Sequence, residues 1–334
     1  MIYKIFQDLE LLFKKNNFKV LLFHNLQDKR NKFCFDFLVK KNSLFYLIKV
    51  FPNIDNLNEY VIENIKILCR LLNCKPILIG IKNRYQNLDD NTIYIREGLP
   101  FISNKTIHTV LNNNIYPYCL SRKGGKITFL NGELMKTLRE QKDISRSELS
   151  EKLGVTKRTI CSYENENLRP SNEIAEEILE ILEDSSIIKK INIFEWRFEI
   201  DFDKEDPTKK RDLTDFELHL KDIFDDIGIA TIWYKKGQVP FEFSICSKNF
   251  FLNFNDEFYP LFSGLSQNNA KINNTMLNHL QSFAKIFHKD ALFIVNNDFK
   301  ISDIFNRIGV PVIKLKDLEK MDTEKDFVEL FEES

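Results

Sequence analysis

Between Glu133 and Leu182 the chain carries four short runs with an apolar stripe, the last three each opened by a polar capping residue. None of these runs is long enough to hold a helix alone in water, where helices under about 12–15 residues are marginal. They must therefore pack on one another. Leu134, Met135 and Leu138 mark the first run, which stops at Lys142-Asp143. Ser145 is placed to cap the second, with Glu148 at the capping-box position and Leu149 and Leu153 on the inner face. Gly154 ends that helix in a tight turn, and Val155 fills the space between neighbours. Thr156 caps the third run, Lys157 to roughly Asn165, which buries Ile160. Ser171 caps a fourth, in which Ile174, Ile178, Leu179 and Leu182 face inward.

The stretch ISRSELSEKLGVTKRTICSYENENLRPS resembles the helix-turn-helix of the phage-repressor family, Cro-like or XRE. The resemblance implies a domain that binds double-stranded DNA, with the third helix entering a major groove about 12 Å wide. It assigns base reading to Lys157, Arg158 and Ser162, with Thr159 or Tyr163 as neighbours. It places Arg146 near a phosphate or the flanking base, and Thr156 and Arg169 near phosphates. Lys157 and Arg158 suit guanine O6 and N7 chemically. Arg139 and Glu164 match an internal ion pair of such repressors and are assigned to structure. Such heads act in pairs across a palindrome, so a homodimer is expected.

Local charge bears on the same point. Net charge is −1, so a nucleic-acid surface must come from placement. Arg122, Lys123, Lys126, Arg146, Lys152, Lys157, Arg158 and Arg169 gather before and on the reading side. The fourth helix is acidic, with Glu173, Glu176, Glu177, Glu180 and Glu183, which leaves open a protein-interaction module of antitoxin type.

On either side the periodicity changes to mixed α/β. Residues 1–120 read as helix (Ile5 to Lys15), strand (Lys19–His24), a hairpin of Phe33–Val39 and Leu44–Val50, and a helix through Val61 and Leu72. Strands Pro76–Ile81, Thr92–Arg96 and Leu99–Ile102 follow. Residues 121–186 form the helical domain. Residues 187–334 repeat the first order: a strand-rich connection to Phe202, a charged linker at 203–211, helix Phe216–Ile227 and strand Ile229–Tyr234. Then come strands Phe241–Cys246 and Phe250–Asn255, helix Met276–Phe287, and strands Ala291–Val295 and Val310–Leu315. Three local matches support a duplication: CFDFLVKKNSLFYLIK with PFEFSICSKNFFLNFN, CKPILIGIKN with KDALFIVNND, and EGLPFISNKTI with RIGVPVIKLKDL.

Asp36 on the first hairpin strand and Lys49 on the second resemble the restriction-endonuclease-like fold, especially archaeal Holliday-junction resolvases. That family needs an Asp followed by an acid-x-Lys triplet, whose carboxylates hold Mg²⁺ and whose lysine activates water. Here the triplet is Leu47-Ile48-Lys49, and leucine cannot ligate a hard cation. In the second copy Glu242 matches Asp36 and the triplet reads Asn253-Phe254-Asn255. Asp36 and Lys49 are thus a degenerate remnant, with Glu10 a substitute carboxylate if cutting survives. The expectation is a non-enzyme with no catalytic residues and no metal or cofactor. The whole arrangement resembles the archaeal family of helix-turn-helix transcriptional regulators, which implies transcription regulation and contact with the transcription machinery.

Other chemistry is thin. The six cysteines form no CxxC pair and the five histidines stand apart, so neither zinc nor disulfides are expected. Ser121-Arg122-Lys123-Gly124-Gly125-Lys126 lacks phosphate-loop spacing and reads as a basic hinge. No run approaches membrane-span length, so a cytoplasmic protein without membrane partners is expected.

Overall fold

The computed structural model describes residues 2–22, 33–122, 125–196, 212–248, 258–266, 274–301 and 303–333. The chain forms two compact units. Unit 1 comprises Met1–Leu21, Leu38–Leu57 and Lys75–Glu199; unit 2 comprises Leu22–Phe37, Asn58–Cys74 and Ile200–Ser334.

In unit 1, helix α1 (Ile2–Lys15) buries Leu9, Leu12 and Phe13 at helical spacing and gives way, through Asn17 at φ 63°, to β1 (Lys19–Leu22). Strands β2 (Phe37–Lys41) and β3 (Leu44–Asn53) flank a two-residue turn in which Asn42 takes φ 56°, the left-handed conformation that asparagine tolerates. Helix α2 (Glu59–Leu71), itself part of unit 2, makes the crossover to β4 (Lys75–Lys82), which pairs parallel to β3 with Lys49 opposite Leu78. Strands β5 (Thr92–Arg96) and β6 (Leu99–Ser103) form a hairpin, helix α3 (Asn104–Asn113) follows, and β7 (Cys119–Arg122) pairs with β8 (Gly125–Thr128). The eight strands run β1-β2-β3-β4-β6-β5-β7-β8.

Two expectations change here. The Ser121–Lys126 hinge is a strand pair at the sheet edge; of its residues, Lys123 and Gly124 lie outside the described ones. Of the connection expected to be strand-rich, the described residues 187–196 hold no named strand; a 3-10 turn, Ser185–Ile187, leads into them and another, Ile193–Glu195, lies among them.

Helices α4 (Gly132–Gln141), α5 (Arg146–Lys152), α6 (Lys157–Glu164) and α7 (Asn172–Leu182) enclose their own core of Met135, Leu149, Leu153, Ile160, Ala175 and Ile178. This core is tied to the sheet. Thr128 donates its amide to Pro170 (3.1 Å), Asn131 to Ile187 (2.7 Å) and Lys189 to Phe129 (2.8 Å). The Phe194 ring then packs against Tyr46 of β3 at 5.4 Å.

Unit 2 holds a five-stranded sheet ordered β13-β12-β11-β10-β9. Helix α8 (Asp215–Asp226) precedes β9 (Ile229–Trp233), which pairs antiparallel to β10 (Phe243–Ser247). The strand beside β10 is β11 (Leu261–Ser266), a position the sequence reading gave to Phe250–Asn255, which lie outside the described residues. The reason is that alternation cannot tell which of two Phe-rich runs will pair. Helix α9 (Asn274–Ile286) crosses to β12 (Ala291–Val295); α10 (Asp303–Ile308), β13 (Val312–Lys314), α11 (Leu315–Leu318) and α12 (Glu324–Glu333) complete the unit. Among the described residues no helix is long and apolar enough to cross a membrane.

Candidate nucleic-acid interface

Ser145 caps α5 by accepting from the Glu148 amide (3.1 Å), while the Glu148 carboxylate accepts from the Ser145 amide (2.6 Å). That amide and the Ser145 hydroxyl hold the Glu148 carboxyl below the usual carboxylate range. Gly154, at φ 62°, makes the turn; a Cβ there would meet nothing within 4 Å, so glycine is needed for its conformation alone. Thr156 caps α6 through the Thr159 amide (3.1 Å), and the two threonine hydroxyls lie 2.8 Å apart.

Lys157 and Arg158 occupy the first turn of α6, exposed, and neither forms an ion pair among the described residues. Ser162 and Thr159 are half-buried. Tyr163 departs from its assignment as a base-reading neighbour: it is 6% exposed and belongs to the core, and burial pushes its hydroxyl pKa up. Helical spacing turns its side chain to the same side as Ile160. Arg169 is exposed, with its guanidinium 4.6 Å from the Phe129 ring centroid.

The basic gathering is partly spent within unit 1. Lys126 pairs with Asp89 at 3.0 Å, and Arg146 Nε donates to Glu164 Oε2 at 2.7 Å, a contact the sequence did not announce. The other oxygen of Glu164 accepts from Arg139 Nε at 2.7 Å, which is the ion pair the resemblance implied. The Glu164 side chain is 1% exposed. Arg139 is fully engaged, giving Nη1 to the Ile144 carbonyl and Nη2 to Glu140. Arg146 uses only Nε among the bonds formed, and Glu164 raises its pKa further. Among the described residues Lys152, Lys157, Arg158 and Arg122 are exposed cations without an ion pair.

Gly132 was missed by sequence reasoning. A Cβ there would fall 2.1 Å from the Glu164 carbonyl oxygen, so only glycine lets the start of α4 approach the end of α6. The available signal was Asn131-Gly132 before the first apolar stripe. Glu166 secures the same corner, accepting from the Gly132 amide (3.1 Å) and from Lys189 (2.6 Å).

Asp36 immediately precedes β2 and is buried. On β3, Leu47 and Lys49 share a face by strand alternation, and Leu47 is 1% exposed. The acid position is therefore buried hydrocarbon, which cannot ligate a divalent ion. Glu10 is paired with Lys14. In unit 2, Glu242 immediately precedes β10. Register places Gly264 beside Phe293 of β12, as Lys49 stands beside Leu78 of β4. A Cβ on Gly264 would lie 2.3 Å from a Phe293 ring carbon, so no lysine could be accommodated. The Asn253-Phe254-Asn255 triplet lies outside the described residues. Among the described residues no group of three or more His, Cys, Asp or Glu side chains could hold a metal ion.

The comparisons agree with this architecture. Residues 3–117 match the PD-(D/E)XK superfamily domain and residues 135–187 match a helix-turn-helix domain, so the chain joins a PD-(D/E)XK fold with mixed sheets to a Cro/XRE-like head. At full length it is similar to a protein of Methanobrevibacter smithii named "Putative HTH-type transcriptional regulatory protein", 27% identical over 99% of this chain and 97% of that protein. A Pyrococcus furiosus protein of similar name is 25% identical over 90% of this chain and 89% of its own length. One from Archaeoglobus fulgidus is 30% identical over 63% and 64%. No solved structure matches the chain.

Proposed function

We propose that this chain binds a specific double-stranded DNA sequence through α6, as a homodimer, and regulates transcription without cutting. The observation that carries the reading is the first turn of α6: Lys157 and Arg158 are exposed and, among the described residues, without ion pairs, on a helix whose opposite face is locked into the core through Ile160 and Tyr163. Two cations on a rigid helix start can offer donors to guanine edges. The names of the archaeal relatives support a regulatory role, with contact to the transcription machinery as its next step.

Selection of bound sequences from random duplexes by the full chain tests this. The expected product is a site with two half-sites about 10 base pairs apart, and Arg158→Ala should weaken it by about 1–3 kcal/mol and relax one position. No enrichment, or equal loss on every sequence, overturns the reading. A dimer that binds DNA unaided would also make an antitoxin-like role unnecessary.

A nuclease reading has one observation in its favour: two buried carboxyls, Asp36 and Glu63, belong to unit 2. Incubation with branched and duplex DNA in Mg²⁺ or Mn²⁺ decides it. Cleavage abolished by Asp36→Ala or Glu63→Gln would establish cutting; no cleavage removes it.

A further inference from the structure

We propose that the C-terminal module is a second copy of the PD-(D/E)XK module kept as its built-in partner, joined through an interface to which each copy contributes the same two elements.

The copy relationship rests on geometry that strand composition cannot imitate. Four buried positions of α2 recur on α9 at one constant offset, Ile62 with Leu277, Ile65 with Leu280, Leu68 with Phe283 and Cys69 with Ala284, while Glu63, Asn64, Ile67 and Leu71 are buried on α2 alone. Both helices end in a left-handed residue at that same offset, Asn73 at φ 47° and His288 at φ 55°. Both ends close with the same bond: the Cys74 amide donates to Cys69 (2.9 Å), and the Lys289 amide to Ala284 (3.0 Å). Register then agrees across two further strands. Leu78 stands between Lys49 and Phe101, as Phe293 stands between Gly264 and Val312. Gly98 and Gly309, matched in sequence, sit before the corresponding strands at φ 74° and φ 70°.

The partnership rests on the make-up of unit 2, which takes Leu22–Phe37 and Asn58–Cys74 from the first copy. Those stretches hold the crossover helix α2 and the segment leading into β2. From the second copy come their counterparts, α9 and the segment leading into β10. Phe35 directly precedes Asp36, and Phe241 directly precedes Glu242; both rings lie against Phe283 of α9, at 5.9 and 5.2 Å. The Cys34 amide donates to the Gln238 carbonyl at 2.7 Å, and Lys235 lies 3.9 Å from the Tyr60 ring centroid. An interface built from the same elements of both partners is the isologous kind that two-fold dimers use. Gly264, under the Phe293 ring, stands in the second copy where Lys49 stands in the first. The duplicated module thus acts as a covalently tethered subunit, one reading head serving two modules.

The test uses the full chain with a specific protease site placed in the charged segment at 203–211. After cleavage in native buffer the two pieces should co-elute at the mass of the uncut chain and unfold in a single transition. Separation of the pieces at micromolar concentration overturns the proposal. Phe283→Asp, which sets a charge against Phe35 and Phe241, should weaken the association at least tenfold after cleavage, while Phe283→Leu should retain it. If Phe283→Asp does not fold, the cleaved wild type decides; if the segment resists the protease, co-purification of the two pieces expressed as separate polypeptides decides. None of these readouts depends on DNA binding.

Discussion

Glu164 carries one negative charge between two guanidinium groups, 2.7 Å from each, and is almost wholly withdrawn from water. Its two partners have different standing. Arg139 is buried and every branch of it is bonded, so Glu164→Ala strands a buried cation and should cost about 3–5 kcal/mol, read by urea denaturation. Arg146 is a third exposed and bonded through Nε alone, which leaves its outer nitrogens for a phosphate. Arg146→Ala should therefore change stability little, yet reduce the salt slope of DNA binding by about one and weaken all sequences alike. An unchanged slope would place Arg146 with the structural residues. The pair Arg139–Glu164 was legible in the sequence because the resemblance supplies it. The second pairing was not, because Arg146 lies on another helix and only tertiary packing brings it to the same carboxylate.

At the scale of elements, the caps were the most readable feature. Ser145, Thr156 and Ser171 each accept from the amide three residues on, since a short oxygen-bearing side chain before a helix can satisfy an orphan amide locally. Glycines were less readable, because one residue type serves two needs. Gly154→Ala should cost about 1 kcal/mol, the conformational penalty at a positive φ with open space around it. Gly132→Ala should cost more, because its Cβ would collide with backbone at the end of α6. Thermal melts of the two variants should rank them in that order. Acidification tests the polar corners. Glu148 is held below its ordinary 4.5 by Ser145, and Glu166 by Lys189 and then the Gly132 amide. Depressed carboxyls contribute stability that is full above pH 4.5 and is lost as pH falls through their lowered values. Circular-dichroism melts should show that loss, and Glu166→Gln should flatten it.

At the scale of the molecule, the head is built into unit 1. Phe129, Leu130 and Asn131 on one side, and Ile187 to Lys189 on the other, bond to each other across its base. The expected 121–186 boundary therefore cuts through these pairs. An excised 121–186 fragment should melt lower than 117–196, which keeps the Ile191–Pro117 bond and Lys189. Equal melting of the two would mean that the four-helix core suffices.

The sequence by itself determined the helix-turn-helix, its caps and turn, the absence of an acid at Leu47 and the alternation of helices and strands on either side. Each of these depends on residues close in the chain, where period, capping and motif spacing act. Tertiary structure alone decided that Tyr163 is core, that Leu261–Ser266 is the strand beside β10, and that Arg146 shares Glu164. It also decided that α2 joins unit 2. The reason is common to all four: an apolar face or a charge states that it needs a partner, but which of several distant, chemically equivalent partners meets it is set only when the chain packs.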